Sequence, residues 1–209
     1  VARTADRPIA SGVVSVTNAL LFLLLQLTLS LTILLQLNKT CWFLGILVLL
    51  LVFSYPAFKR FTYWPQFILG LTFNWGALMG WASITGQIDI SSVILYLAGI
   101  FWTLGYDTIY AHQDKEDDAL IGVKSSALAL ENSTKPFIYT VYIITMSGIF
   151  LIGWISEFSI PFYLVCLIAF CQLIWQIRTL DLNSPNDCLK KFKSNRFFGF
   201  LITFAIFLG

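Results

Sequence analysis

Charge is what this sequence has least of. Only 11% of its 209 residues are Asp, Glu, Lys or Arg, against 58% hydrophobic, whereas a soluble domain carries about 25% charged residues. A buried core does not absorb that deficit, so the solvent for most of the chain is lipid. The net charge of +2 is too near neutral for a nucleic-acid or polyanion surface, and no nucleic-acid partner is expected. There is one histidine, and the four cysteines (Cys41, Cys166, Cys171 and Cys188) form no Cys-x-x-Cys pair. A zinc site is therefore disfavoured, and all four read as reduced packing residues. An initial methionine and a charged-then-apolar leader are also lacking. The sequence opens instead on a polar stretch, Arg3-Thr4-Ala5-Asp6-Arg7-Pro8, which reads as an interhelical loop of a longer protein.

Long apolar runs are abundant. About 20 residues cross the hydrocarbon of a bilayer, and the polar breaks place helices at about 13–37, 40–56, 66–85, 91–111, 136–155, 159–179 and 196–209. The fold class is thus an all-α polytopic membrane protein with about seven transmembrane helices. The six prolines, Pro56 among them, are expected at or near the breaks, where a missing N–H does least harm. Sorting the loops by side puts every Lys and Arg except Lys39 on one face, which positive-inside makes cytoplasmic, or matrix in a mitochondrion. Of the acids, only Asp89 and Glu157 lie opposite.

The acids on the basic face are not scattered. Asp107, Asp114, Glu116, Asp117 and Asp118 fall within a dozen residues at the mouth of one apolar helix, where a charge is expensive. At 100° per residue, Asp107, Asp114 and Asp118 lie within about 40° of one another on a continuous helix. Asp117 is about 80° off that face. Three hard oxygen ligands suit Mg²⁺ when water and phosphate complete its shell. Basic pairs Arg3/Arg7 and Lys59/Arg60 stand at other helix ends on the same side. Acids that hold bridging cations and bases that take the remaining oxygens describe a diphosphate site. The rival reading is a transporter whose acids bind a translocated cation.

Tyr106-Asp107-Thr108-x-Tyr110-Ala111-x-x-Asp114-x-x-Asp117-Asp118-x-x-x-Gly122-Val123-Lys124-Ser125 resembles the second aspartate-rich motif of the intramembrane aromatic prenyltransferases. Arg3-Thr4-x-x-Arg7-Pro8-x-x-Ser11-Gly12 resembles the tail of their first motif. Tyr55-Pro56-x-x-Lys59-Arg60-x-Thr62-x-x-Pro65-Gln66-x-x-Leu69-Gly70 and Cys188-x-x-x-Phe192-x-x-Asn195-x-x-x-Gly199 are similar to the 4-hydroxybenzoate polyprenyltransferase branch of that family. The resemblance runs the length of the chain. It implies Mg²⁺-dependent transfer of a polyprenyl group from polyprenyl diphosphate to 4-hydroxybenzoate, ortho to the hydroxyl, early in ubiquinone synthesis. It also implies a bacterial plasma membrane or a mitochondrial inner membrane as the location. Other acceptors (homogentisate, haem, naphthoate) are the alternatives within the family.

The resemblance assigns Asp114 and Asp118 as metal ligands, with Asp107 a third, direct or through water. Lys124, Arg7 and Arg3 would meet diphosphate oxygens, and Lys59 or Arg60 the substrate carboxylate. Tyr110, and less so Tyr106, would face the allylic cation. Glu116 is expected in solvent, and so is His112. Asn74 is expected to make an interhelical hydrogen bond, and Gly70, Gly76 and Gly80 to serve close helix packing. The family's first motif, Asn-Asp-x-x-Asp-x-x-x-Asp, has no counterpart here. Residues 1–209 are therefore expected to be one domain of a nine-helix bundle, without its first two helices and inactive alone.

Overall fold

The computed structural model describes residues 6–209, and the side chains of Lys59, Asp117 and Ile121 lie outside that description. Among the described residues all regular structure is helical: α1 Val16–Leu34, α2 Lys39–Phe61, α3 Pro65–Phe73, α4 Trp75–Thr85, α5 Ile90–Ala111, α6 Lys115–Ile121, α7 Ser126–Leu130, α8 Thr134–Ile155, α9 Ile160–Thr179 and α10 Pro185–Leu208, with a 3₁₀ turn at Glu131–Ser133. Helices satisfy their own backbone, which lipid requires.

Six stretches are long and apolar enough to cross a membrane: Val16–Leu34, Lys39–Phe58, Pro65–Thr85, Ile90–Ala111, Ser126–Ile155 and Ile160–Thr179. The seventh, expected at 196–209, is the second half of α10. That helix starts at Pro185 and carries Lys190, Lys191, Lys193 and Arg196 in its first half, so only its second half is apolar. Pro56 also departs from expectation. It lies inside α2, which runs on to Phe61, because proline costs a helix one hydrogen bond and a kink rather than its existence.

The core is the seam between α5 and α8, the most extensive helix pair, with α9 and α10 packed beside it. Small residues permit the approach. A Cβ at Gly105 would collide with the Tyr142 ring, one at Gly99 with Asn74, and one at Gly70 would come within 3.2 Å of Ile100. Gly70 therefore packs as expected, but Gly76 and Gly80 do not: nothing lies within 4 Å of a Cβ at either. Their spacing places them on an outward face of α4. Asn74 interrupts the span between α3 and α4 and donates to Thr103 Oγ1 at 2.8 Å and to the Gly70 carbonyl at 2.9 Å. Its interhelical bond is the one anticipated. Outside this core the helices present Leu, Phe and Ile outward, and α1 buries no residue.

At the end of the bundle opposite the aspartates, Asp89 caps α5 in a capping box with Ser92, which accounts for one of the two acids on that side. Cys41, Cys166 and Cys188 are buried free thiols, whereas Cys171 is exposed on α9 and is not a packing residue.

Candidate active site

The backbone breaks where the aspartates need it to. α5 stops at Ala111; His112 and Gln113 then turn, their N–H groups bonding the Ile109 and Tyr110 carbonyls at 3.2 and 3.0 Å. Asp114 stands just ahead of α6. The three aspartates therefore do not share one continuous helix face, as their spacing suggested. They converge across a turn. Asp107, Asp114 and Asp118 line one cleft of about 120 Å³ with Tyr55, Pro65, Gln66, Tyr110, Val123, Lys124 and Ser125.

Local chemistry fixes each wall. α6 ends at Gly122, whose φ of 72° is left-handed and whose N–H bonds the Asp118 carbonyl; glycine takes this conformation without strain. The chain then runs back to Ser126, whose hydroxyl meets that of Thr108 at 2.8 Å, both buried, tying α7 to α5. Lys124 is held between the two. Its Nζ donates to the Phe61 carbonyl at the end of α2 (3.3 Å) and lies 5.1 Å from the Tyr63 ring centroid. Pro65 begins α3, where its missing N–H costs nothing, and sets Gln66 at the cleft.

Behind Tyr110 stands an aromatic wall. Phe192 of α10 lies 4.5 Å from the Tyr110 ring and 5.7 Å from Tyr106, Tyr106 lies 5.2 Å from Trp102, and Trp102 lies 4.9 Å from Phe198. A buried polar network anchors that wall. Trp102 Nε1 donates to Asn195 Oδ1 (3.0 Å), and Asn195 Nδ2 donates to the Lys191 and Phe192 carbonyls (3.2 Å each) and to Gln176 Oε1 (3.4 Å). Tyr142 donates to the same Gln176 oxygen (3.1 Å), and Gln176 Nε2 donates to Ser194 (2.9 Å). Four helices are stitched together one turn behind the cleft.

His112 is buried, contrary to the solvated position expected for it. Its Nε2 lies 3.3 Å from Thr134 Oγ1, and Thr134 donates its own proton to the Glu131 carbonyl (2.8 Å). The threonine oxygen thus accepts, which puts the imidazole hydrogen on Nε2. Burial, then the nearby Lys115 ammonium, push the pKa down to about 4, so the ring is neutral near pH 7. It has a structural partner and does not line the cleft.

The cleft gathers Asp107, Asp114, Asp118, Tyr110 and Lys124. Arg7 and Arg60 are exposed and outside it, and Glu116 is exposed as anticipated. Arg3 and the side chains of Lys59 and Asp117 lie outside the described residues. Sequence reasoning assigned no role to Gln66, Ser125, Phe192 or the Asn195 network. All four stand in the motifs that carry the family resemblance, and that was the available signal.

Hard carboxylate oxygens with an ammonium opposite fit a divalent ion bridged to a phosphate. Among the described residues no three Asp, Glu, His or Cys side chains close around a point as a metal cage.

A family model described as "UbiA prenyltransferase family" matches residues 1–202. The 4-hydroxybenzoate polyprenyltransferase, mitochondrial, of Bos taurus is 50% identical over the whole chain, which covers 57% of that relative. The protein of the same description from Arabidopsis thaliana is 50% identical over 99% of the chain, which covers 51% of it. The chain thus spans about half the length of the curated relatives it matches. Among solved structures, the apo structure of a UbiA homolog from Aeropyrum pernix K1 superposes with a TM-score of 0.81 at 20% identity, over 98% of this chain and 77% of that one. At that identity the match speaks for the fold.

Proposed function

The chain belongs to the UbiA prenyltransferase family, and from that premise we propose that the complete protein transfers a polyprenyl group from polyprenyl diphosphate to 4-hydroxybenzoate, at the carbon ortho to the hydroxyl. The product is an early intermediate of ubiquinone synthesis. One observation carries this reading: Asp107, Asp114, Asp118, Lys124 and Tyr110 meet in a single cleft. The names of the 50% identical relatives support the acceptor. They also support a mitochondrial membrane, in which the positive-inside rule would turn the basic side, and so the cleft, to the matrix.

The chemical difficulty is to break an allylic C–O bond away from bulk water. Bound Mg²⁺ supplies neutralisation of the charge that develops on the departing diphosphate. Asp114 and Asp118 would hold it, with Asp107 as a third ligand. Lys124, fixed by the Phe61 carbonyl, donates to diphosphate oxygens; a preorganised donor is worth more here than in water. Tyr110 presents its π face to the allylic cation, and Phe192 behind it limits the ring's rotation. Arg3, Arg7, Lys59 and Arg60 would meet ligand atoms that project from the cleft, the benzoate carboxylate among them. A first aspartate-rich motif elsewhere in the complete protein would supply the remaining metal ligands, and the greater length of the relatives accommodates one.

A cation-coupled carrier would need its charges near mid-membrane in broken helices. Here the broken span, at Asn74, carries no charge, and the acids lie at helix ends. The test is Mg²⁺-dependent formation of prenylated 4-hydroxybenzoate by the complete protein in membranes. Asp114→Ala and Asp118→Ala should each abolish it while membrane insertion is intact. Full activity in either variant would remove that residue from the metal site.

A further inference from the structure

Among the described residues, five buried side-chain polar atoms have no hydrogen-bond partner: Gln66 Oε1, Trp81 Nε1, Gln113 Nε2, Ser125 Oγ and Gln172 Oε1. Two of the five belong to residues that line the aspartate cleft. Those residues, Gln66 and Ser125, are 4% and 3% exposed. Buried polar atoms are nearly always paired, and an exception calls for an explanation. Two exceptions in one small cleft point to a ligand that completes them.

The chemistry of each atom says what that ligand must offer. Gln66 Oε1 can only accept. Ionised carboxylates and diphosphates can also only accept, so neither anionic end of the proposed substrates satisfies it. The one donor on either substrate is the phenolic O–H of the hydroxybenzoate. The aspartates of the cleft accept too, but they serve cations. A neutral amide oxygen accepts from a neutral hydroxyl without adding charge to the cleft. Ser125 differs, because a hydroxyl can turn to donate. Beside Lys124, it suits an anionic oxygen.

We propose that Gln66 is the residue that selects the aromatic acceptor: its Oε1 accepts the phenolic O–H and so holds the ring beside the carbon that is prenylated. This rests on the function proposed above. Its position supports it. Gln66 sits in the first turn of α3, held there by Pro65, across the cleft from α5, which carries Asp107 and Tyr110. A site built to bond a substrate hydroxyl rejects an analogue that lacks it far more strongly than an apolar pocket does, because the buried acceptor is then left unpaired.

The test compares 4-hydroxybenzoate with 4-methoxybenzoate, which keeps an electron-donating oxygen on the ring and loses the donor. Membranes carrying the complete protein should favour the hydroxy compound by at least about 100-fold in kcat/KM. Gln66→Met should lose about 10- to 100-fold on 4-hydroxybenzoate and little on the methoxy compound. The KM for polyprenyl diphosphate should stay at its wild-type value. Ser125→Ala should do the converse, raising that KM and preserving the hydroxy/methoxy ratio. If Gln66→Met does not accumulate, the wild-type protein carries the test with 4-aminobenzoate, whose amine is a donor and which should be used where the methoxy compound is not. An unchanged ratio in Gln66→Met, or equal use of the hydroxy and methoxy compounds by the wild type, overturns the proposal alone. A wild-type protein that prenylates none of the three overturns the functional reading beneath it.

Discussion

Replacing Asn195 with leucine should destabilise the protein by about 1–2 kcal/mol, and the cost should depend on Trp102. Asn195 is almost fully buried, and its amide spends every hydrogen-bonding group it has. Leucine is close in volume, so little cavity results. Gln176 Oε1 keeps its bond from Tyr142, and the Lys191 carbonyl keeps the Ser194 hydroxyl at 2.7 Å. One group is orphaned, the indole N–H of Trp102. A buried unpaired donor costs about 1–3 kcal/mol, while hydrogen bonds inside membrane proteins average nearer 0.6 kcal/mol by double-mutant cycle, which sets the range. Trp102→Phe removes the donor, so the Asn195→Leu cost should shrink by about 1 kcal/mol in that background. Steric trapping or graded SDS unfolding in bicelles measures all four corners of the cycle. Additivity within about 0.3–0.5 kcal/mol would refute the network as an energetic unit.

Two further outcomes follow from the packing. Phe192→Leu removes the ring set 4.5 Å behind Tyr110; losing an aromatic pair costs about 0.5–1.5 kcal/mol, so kcat should fall up to about tenfold with the KM values little changed, and an unaltered kcat would mean that the wall does not position Tyr110. Burial, with Asp187 and Asp181 adding to it, pushes the Cys188 thiol up to about 11, so it is neutral below that pH and poorly nucleophilic. A membrane-permeant maleimide at pH 7.5 should therefore spare Cys188 in the folded protein and label it once SDS unfolds the chain, and mass spectrometry showing Cys188 modified in the folded protein would contradict the packing of α10.

Much of the fold was legible because lipid allows few solutions. Apolar runs of membrane length with polar breaks leave helices as the only answer, and six of the seven expected spans lie within a few residues of their places. The exceptions share a cause. Pro56, Gly76 and Gly80 were read by residue type, yet a helix tolerates one lost hydrogen bond, and a glycine pair packs only if a neighbour arrives. His112 was read by its place beside a span, and the turn that buries it against Thr134 depends on a residue 22 positions away. Within the site, spacing identified Asp107, Asp114 and Asp118 as partners, although the turn at His112–Gln113 joins them, not a helical face. Charge is easy to notice in a sequence with so little of it. Gln66 and Ser125, uncharged, stood in the quoted motifs but were given no role.

By itself, the sequence determined the solvent of this chain, its helical class, the side on which its charges gather and the grouping of the three aspartates that line one cleft. These follow from composition and from distances along the chain. Only the tertiary structure decided which charges meet. It brings Lys124 into the cleft and leaves Arg7 and Arg60 outside. It sets Phe192 behind Tyr110 through an amide on a helix some eighty residues further along. It leaves two polar atoms in the cleft without partners. Such facts depend on how helix ends converge, and on which buried groups find a partner once the helices have packed.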